Sequence, residues 1–206
     1  MIQTASPIRK DIALNCVNCD LDFLADMHTL ACEACQGPLV IKYDVLSGSQ
    51  VMDIPVNSCN DLVTLGEGNT PIVKMEGVQR QLEMSNVYGK LEFMNPTGSF
   101  KDRGTSMMVS VAKALTVNNL VEDSSGNAGS SVAAYCSKAG ITSHIFVPSS
   151  APQPKLDQIS VYGGVTHQID GSREMVTEAA LEFVCENGFI YGAHKLSPYF
   201  LEGTKS

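Results

Sequence analysis

With 206 residues, 44% of them apolar and 17% charged, the chain suffices for one sizeable core or two small domains and is too apolar to stay disordered. Its net charge of −8, from 22 acidic and 14 basic residues with no basic stripe, repels phosphate backbones and argues against a nucleic-acid partner. No apolar run approaches the roughly 18 residues of a membrane span, and the polar opening MIQTASPIRKD has no signal-peptide core, so no membrane association is expected and the cytoplasm is the default location.

Residues 1–45 read as a zinc ribbon. Cys16-x2-Cys19 and Cys32-x2-Cys35 form two CxxC knuckles separated by twelve residues. Each knuckle can place two thiolates on one tight turn, about 2.3 Å from a shared tetrahedral zinc ion, with the intervening residues forming a hairpin between them. Four sulfurs close the coordination sphere, so such a metal is structural, and its binding contributes roughly 10–16 kcal/mol of apparent folding free energy. The other readings are four free thiols or two disulfides, and a reducing compartment disfavours the latter. His28 falls between the knuckles but is not needed as a ligand, and Cys136 and Cys185, within helical segments, read as small apolar core residues. A ribbon alone names no function.

Residues 46–206 form the second unit. Its first part, to about residue 95, is extended and turn-rich, punctuated by Gly66, Gly68, Pro71 and Gly77. Helices are predicted over 101–115, 128–140, 154–162 and 172–188, and strands over 119–122, 141–147, 165–170 and 189–192. Gly140 and the Gly163–Gly164 pair stop two of the helices, and Pro154 starts one. Strand and helix alternating across short glycine-containing joints predict an α/β fold with a mainly parallel sheet. The closing YFLEGTKS carries no evident element, and the chain is expected to continue beyond it.

Two segments carry chemistry. In NPTGSFKDRG (95–104), a Pro/Gly turn runs into a helix and sets Lys101 in its first turn, beside the positive end of the helix dipole, which disfavours the ammonium form. Asp102 and Arg103 are placed to adjust it further, and a neutral amine is what Schiff-base chemistry requires. In SSGNAGSS (124–131), between a strand and a helix of small residues, free backbone N–H groups and the hydroxyls of Ser124 and Ser125 suit a carboxylate or phosphate. Taken singly, Lys101 also reads as a solvated surface charge and the serine/glycine turn as a helix cap.

These segments, with LGEGNTP (65–71), SSGNAGSSVAAYCSKAG (124–140) and the ribbon stretch ACEACQGPLVIKYD (31–44), resemble threonine synthase, a fold-type II pyridoxal-phosphate (PLP) enzyme related to the tryptophan synthase β chain. The resemblance implies a three-layer parallel sheet preceded by a zinc ribbon. It implies that Lys101 holds PLP as a Schiff base and then shuttles protons at Cα and Cβ, and that Asn127 hydrogen-bonds the cofactor's 3′-oxygen. Ser124, Ser125 and Gly126, with Asn127, then receive the carboxylate of a small amino-acid substrate, and Thr70 lines the same crevice. The implied reaction converts O-phospho-L-homoserine and water into L-threonine and phosphate. Arg103, Lys155 and Lys195 are candidate partners for the substrate phosphate, each equally readable as an ordinary surface charge. Oligomers are common in that family, so a homo-oligomer is an expectation too.

Threonine synthases are longer than this chain, and the part beyond supplies the glycine-rich loop for the cofactor phosphate. The fold is therefore expected to be truncated, with weak PLP binding and poor turnover. Two alternatives stay open: another fold-type II reaction (cysteate synthesis, β-replacement or amino-acid dehydration), or a non-catalytic zinc-ribbon binding protein.

Overall fold

The computed structural model describes residues 8–44 and 53–206. The expected boundary between the two units, at 45/46, lies outside the described residues.

The cysteine segment folds as an antiparallel sheet of β1 (Ile12–Cys16), β2 (Asp22–Leu24) and β3 (Leu39–Tyr43), in the order β2-β1-β3. The knuckles are themselves tight turns. The Asp20 N–H donates to the Cys16 carbonyl and that of Gln36 to the Cys32 carbonyl, and Asp20 and Gln36 both adopt left-handed backbone, φ 59° and 56°. The expected hairpin between the knuckles is not what joins them. The first knuckle is the turn of the β1–β2 hairpin, the second leads into β3, and the link between is an irregular loop in which Asp26 accepts from the N–H groups of His28 and Thr29. A short polar side chain that satisfies backbone donors locally offers the chain an alternative to a ladder.

The stretch before residue 95 is more regular than expected. β4 (Ile72–Lys74) pairs antiparallel with β5 (Tyr88–Lys90), and α1 (Glu76–Leu82) lies between them. α1 buries none of its residues, so it carries no apolar stripe that a sequence pattern could reveal.

The α/β body contains α2 (Lys101–Ala114), β6 (Asn119–Glu122), α3 (Asn127–Ala139), β7 (Thr142–Pro148), α4 (Gln153–Val161), β8 (Val165–Ile169), α5 (Arg173–Asn187) and β9 (Ile190–Tyr191). The predicted helices and strands agree with these to within one or two residues. Cys136 is a core residue of α3 as expected, but Cys185 is exposed, because α5 turns Val176 and Ala180 to the sheet and Cys185 away from it. Gly140 and Gly188 end α3 and α5 in left-handed conformation, and Ser172 caps α5 by accepting from the Met175 N–H. The four strands are all parallel, in the order β8-β7-β6-β9. After β6 the chain winds outward through β7 and β8, then crosses back to add β9 on the other side of β6. That reversal makes a topological switch point at the carboxyl ends of β6 and β9, where open parallel sheets hold their ligands. α5 covers one face of the sheet, over Val121, Phe146 and Tyr191, and α3 and α4 cover the other, with α2 packed on α3. The fold is the expected three-layer arrangement, and the ribbon's Leu14, Met27, Leu39 and Ile41 belong to the same apolar cluster as α2 and α3.

The closing residues, expected to carry no element, form α6 (Pro198–Gly203), started by Pro198 and by Ser197, whose Oγ accepts from the Phe200 N–H. α6 lies so close to α2 that a Cβ on Gly203 would meet the Arg103 carbonyl oxygen at 2.3 Å, and one on Gly104 would meet the Phe200 ring at 2.7 Å. A helix this short has no period to read; only its buried partners define it. Gly104→Ala should accordingly cost about 1–3 kcal/mol in urea unfolding, whereas Gly77→Ala, in α1 with open space around it, should be neutral or gain up to about 1 kcal/mol.

Candidate active site

The turn Asn95–Phe100 delivers Lys101 as the first residue of α2. The Ser99 Oγ accepts the Lys101 N–H at 3.3 Å, giving the helix its first cap. Lys101 Nζ has no hydrogen-bond or ion-pair partner among the described residues; it lies 4.7 Å from the centroid of the Phe100 ring and 5.4 Å from that of Phe200. Burial holds its pKa below the ordinary lysine range, the Glu122 carboxylate opposes that shift, and Lys195 adds to it. A half-buried amine with aromatic walls and no counter-ion in contact is poised to act as a nucleophile.

Its neighbours do not adjust it directly. Asp102 is wholly buried and faces away, accepting from the Thr97 N–H at 2.7 Å, the Thr97 hydroxyl at 2.5 Å and the Ser131 hydroxyl at 2.6 Å. It therefore joins the lysine turn to the first turns of α3. Arg103 makes a two-pronged pair with Glu92, at 2.8 and 2.9 Å, and also reaches the Ser206 carbonyl. That guanidinium, with Thr70 and Asn95, holds the Glu92 carboxyl down to about 2.

Thr70 is buried in the same network. Its hydroxyl donates to Glu92 at 2.7 Å, and its carbonyl accepts from Lys90. The LGEGNTP turn around it needs left-handed backbone at Gly66, Gly68 and Asn69, and is pinned by the Gly68 N–H donating to Asn95 and by Tyr135 donating to Glu67.

Ser124, Ser125 and Gly126 are half-buried in the loop that leaves β6, and Asn127, exposed, opens α3. Gly129 is obligatory one turn in, since a Cβ there would sit 1.9 Å from the Ser124 carbonyl oxygen. Lys155 donates to the Asn127 Oδ1 at 2.8 Å, so it serves the loop instead of standing as a separate charge. Gln158 ties α4 to the same place by donating to the Thr97 carbonyl and accepting from Ser130. The structure thus gathers the lysine turn, the 124–131 loop and the head of α4 at the carboxyl end of the sheet. A cavity of about 510 Å³ at the opposite strand ends, walled by Asp26, His28, Asn119 and Phe189, contains none of the predicted site residues.

A family model described as pyridoxal-phosphate dependent enzyme matches residues 63–206. The chain belongs to this family. It is 30% identical to a threonine synthase of Methanosarcina acetivorans over 94% of this chain and 51% of that protein, a span too long to leave the ribbon out. A threonine synthase of a Bacillus species is 35% identical over 74% of this chain and 43% of its own length. Among solved structures, a pyridoxal 5′-phosphate-dependent aspartate racemase superposes with a TM-score of 0.61 at 26% identity, covering 65% of this chain and 42% of that one. The chain spans about half the length of the curated relatives it matches. Among the described residues no helix is long and apolar enough to cross a membrane.

The unpartnered Lys101 amine, the 124–127 loop that opens α3 and the Asp102 tie between their turns fit the cofactor that this family is described by.

At the ribbon, Cys16 Sγ lies 3.5 Å from Cys35 Sγ, Cys19 is 3.5 Å from Cys32 and 3.6 Å from Cys35, and all four sulfurs fall within 4.8 Å of one another. A tetrahedral zinc about 2.3 Å from each sulfur needs edges of roughly 3.8 Å, so the donor set fits. Burial raises the Cys16 thiol, but the amides of Cys19 and Asn18 aimed at it prevail and lower it, whereas hydrogen bonds from the neighbouring thiols push Cys19 and Cys35 up, as expected of four thiols packed together.

Sequence reasoning missed Asp102's clamp, Lys155's service to Asn127, and Glu122 and His194 near Lys101. A charged residue in the apolar strand Asn119–Glu122 was the one available signal, because carboxylates are rarely buried without a partner. Asp102→Ala would strand its buried donors and should cost at least about 3 kcal/mol in urea unfolding; a loss under about 1 kcal/mol would mean that the two loops do not depend on it.

Proposed function

We propose that this chain carries the amine and the carboxylate-binding loop of a PLP enzyme of threonine-synthase type, which converts O-phospho-L-homoserine and water into L-threonine and phosphate. The observation that carries the reading is the half-buried Lys101 amine, without a hydrogen-bond partner among the described residues, on a turn that Asp102 ties to α3 through Thr97 and Ser131. Bound PLP supplies an electron sink that labilises the Cα and Cβ positions and lets a γ-substituent leave. Lys101 serves as the attachment point and then moves protons at Cα and Cβ. Ser124, Ser125 and Gly126, with Asn127, receive the substrate carboxylate at the positive end of α3. Asn127, its Oδ1 held by Lys155, keeps its amide N–H groups free to donate to the cofactor's ring oxygen. Thr70, fixed by Glu92 and Arg103, walls the same crevice.

The likeness to threonine synthases supports this substrate. The likeness to the aspartate racemase supports a second reading, a different amino-acid reaction on the same residues. Comparing O-phosphohomoserine with serine, threonine and phosphoserine as substrates separates the two.

Incubation with PLP followed by borohydride should give a band near roughly 410–430 nm that converts to a stable adduct on the Lys101 peptide. Lys101→Ala should show neither. A stable adduct on another lysine would remove Lys101 from its role.

We further propose that residues 1–45 form a ribbon around one structural zinc held by Cys16, Cys19, Cys32 and Cys35, ahead of a PLP-dependent unit in 46–206. Elemental analysis should find one zinc per chain, and chelation or Cys19→Ser should release it and lower the melting temperature. Protein purified with paired disulfides and no metal would overturn this assignment.

A further inference from the structure

Glu122 has no exposed surface, yet the proposed function gives it no task. It ends β6 at the switch point, where the β6 and β9 loops part. Its carboxylate accepts from the backbone N–H of His194 at 3.2 Å and from His194 Nδ1 at 2.8 Å. His194 follows β9, so this contact closes the switch point from both sides. The imidazole meets the Phe200 ring edge-on, with centroids 5.5 Å apart, and that same ring stands 5.4 Å from Lys101 Nζ. One phenyl ring thus neighbours both the pair and the amine.

The surroundings leave the pair free to act on Lys101. Cys136 and Tyr191, which also face Glu122, are both pushed up by burial and stay neutral. Asp123 is taken by Arg173 and Thr177, Asp102 by Thr97 and Ser131, and Arg103 by Glu92. Lys195 is the other cation that acts on the amine. The imidazole is not sealed off either. With Lys195 and Leu196 it lines a cavity of about 450 Å³ against Pro38 and Leu39 of the ribbon, so water can exchange a proton with it.

We propose that Glu122 and His194 are a proton-exchanging pair that positions charge for Lys101 and thereby sets how readily the amine becomes nucleophilic. With His194 neutral, its Nδ1–H donates to Glu122, and the pair's single negative charge favours the ammonium. When His194 Nε2 takes a proton from solvent, the pair is neutral as a whole. Lys101 then loses its counter-charge and releases its own proton more readily. Both act through Lys101 and are positioning residues.

The proposal rests on Lys101 as the working amine, and its test reads that amine without cofactor. The full 206-residue chain is labelled with a small acylating reagent across neutral to alkaline pH, and modification of the Lys101 peptide is followed by mass spectrometry. Wild type should depart from a single titration curve. Glu122→Gln, which keeps the side-chain shape, should lower the Lys101 midpoint by about half a pH unit or more, roughly a threefold gain in labelling below the midpoint. His194→Gln should restore a single titration. An unmoved midpoint in folded Glu122→Gln, or a His194→Gln curve that keeps the departure from a single titration, overturns the proposal. Should Glu122→Gln not fold, His194→Gln decides alone. A chain that takes up no PLP defeats the proposed function and leaves this readout intact.

Discussion

Asp102 is a carboxylate without exposed surface at the head of α2, surrounded by the Thr97 amide, the Thr97 hydroxyl and the Ser131 hydroxyl at 2.5 to 2.7 Å. Taking such a group out of water is costly unless its oxygens are satisfied, and charge-assisted hydrogen bonds of this length offset the cost. The site depends on this arrangement. Through it the turn that presents Lys101 and the helix that opens with the 124–127 loop are held together, although they come from separate parts of the chain. The lysine's reach and the loop's orientation are set by a side chain that faces away from the amine.

Close backbone approach is the second requirement, and it is met by small residues. Gly129 lets the loop carbonyl of Ser124 pass over α3, and Gly104 and Gly203 let α2 and α6 meet at the distance that places Phe200 beside Lys101. The result is an amine with apolar neighbours and charges held one layer back. Burial and Lys195 disfavour its ammonium form, and Glu122 opposes them. A desolvated lysine balanced in this way is reactive without being trapped in an ion pair. The Glu92–Arg103 pair does comparable work on the other side, fixing the Thr70 turn to α2 without touching Lys101.

The ribbon is built on different physics but joins the same core. Its cysteine turns are imposed by local backbone geometry, with left-handed residues at Asp20 and Gln36, while Leu14, Leu39 and Ile41 bury their apolar surface in the cluster that contains α2 and Phe200. The Tyr43 hydroxyl shares its one proton between the Asp53 carbonyl at 3.1 Å and Glu202 Oε1 of α6 at 3.3 Å. The cysteine sheet and the lysine site are thus joined by packing through α6, which itself rests on Gly104.

By itself the sequence determined the features that depend on few neighbouring residues. These are the knuckle spacing, the glycines that follow α3 and α4, the Pro/Gly turn that puts Lys101 at a helix head, and the βα alternation that requires a parallel sheet. Each is a backbone conformation or a cap, and its signal lies within a few positions. Tertiary structure alone decided the partners: Asp102 with Ser131, Glu122 with His194, Lys155 with Asn127, and Phe200 with Gly104. It alone decided α1 and α6 as well, the first because it buries no face and the second because it is too short to show a period. The reason is common to all of these. A buried polar or aromatic side chain must be satisfied by whatever the fold brings beside it, and residues twenty-eight to ninety-six positions apart become neighbours only once the sheet order has been chosen.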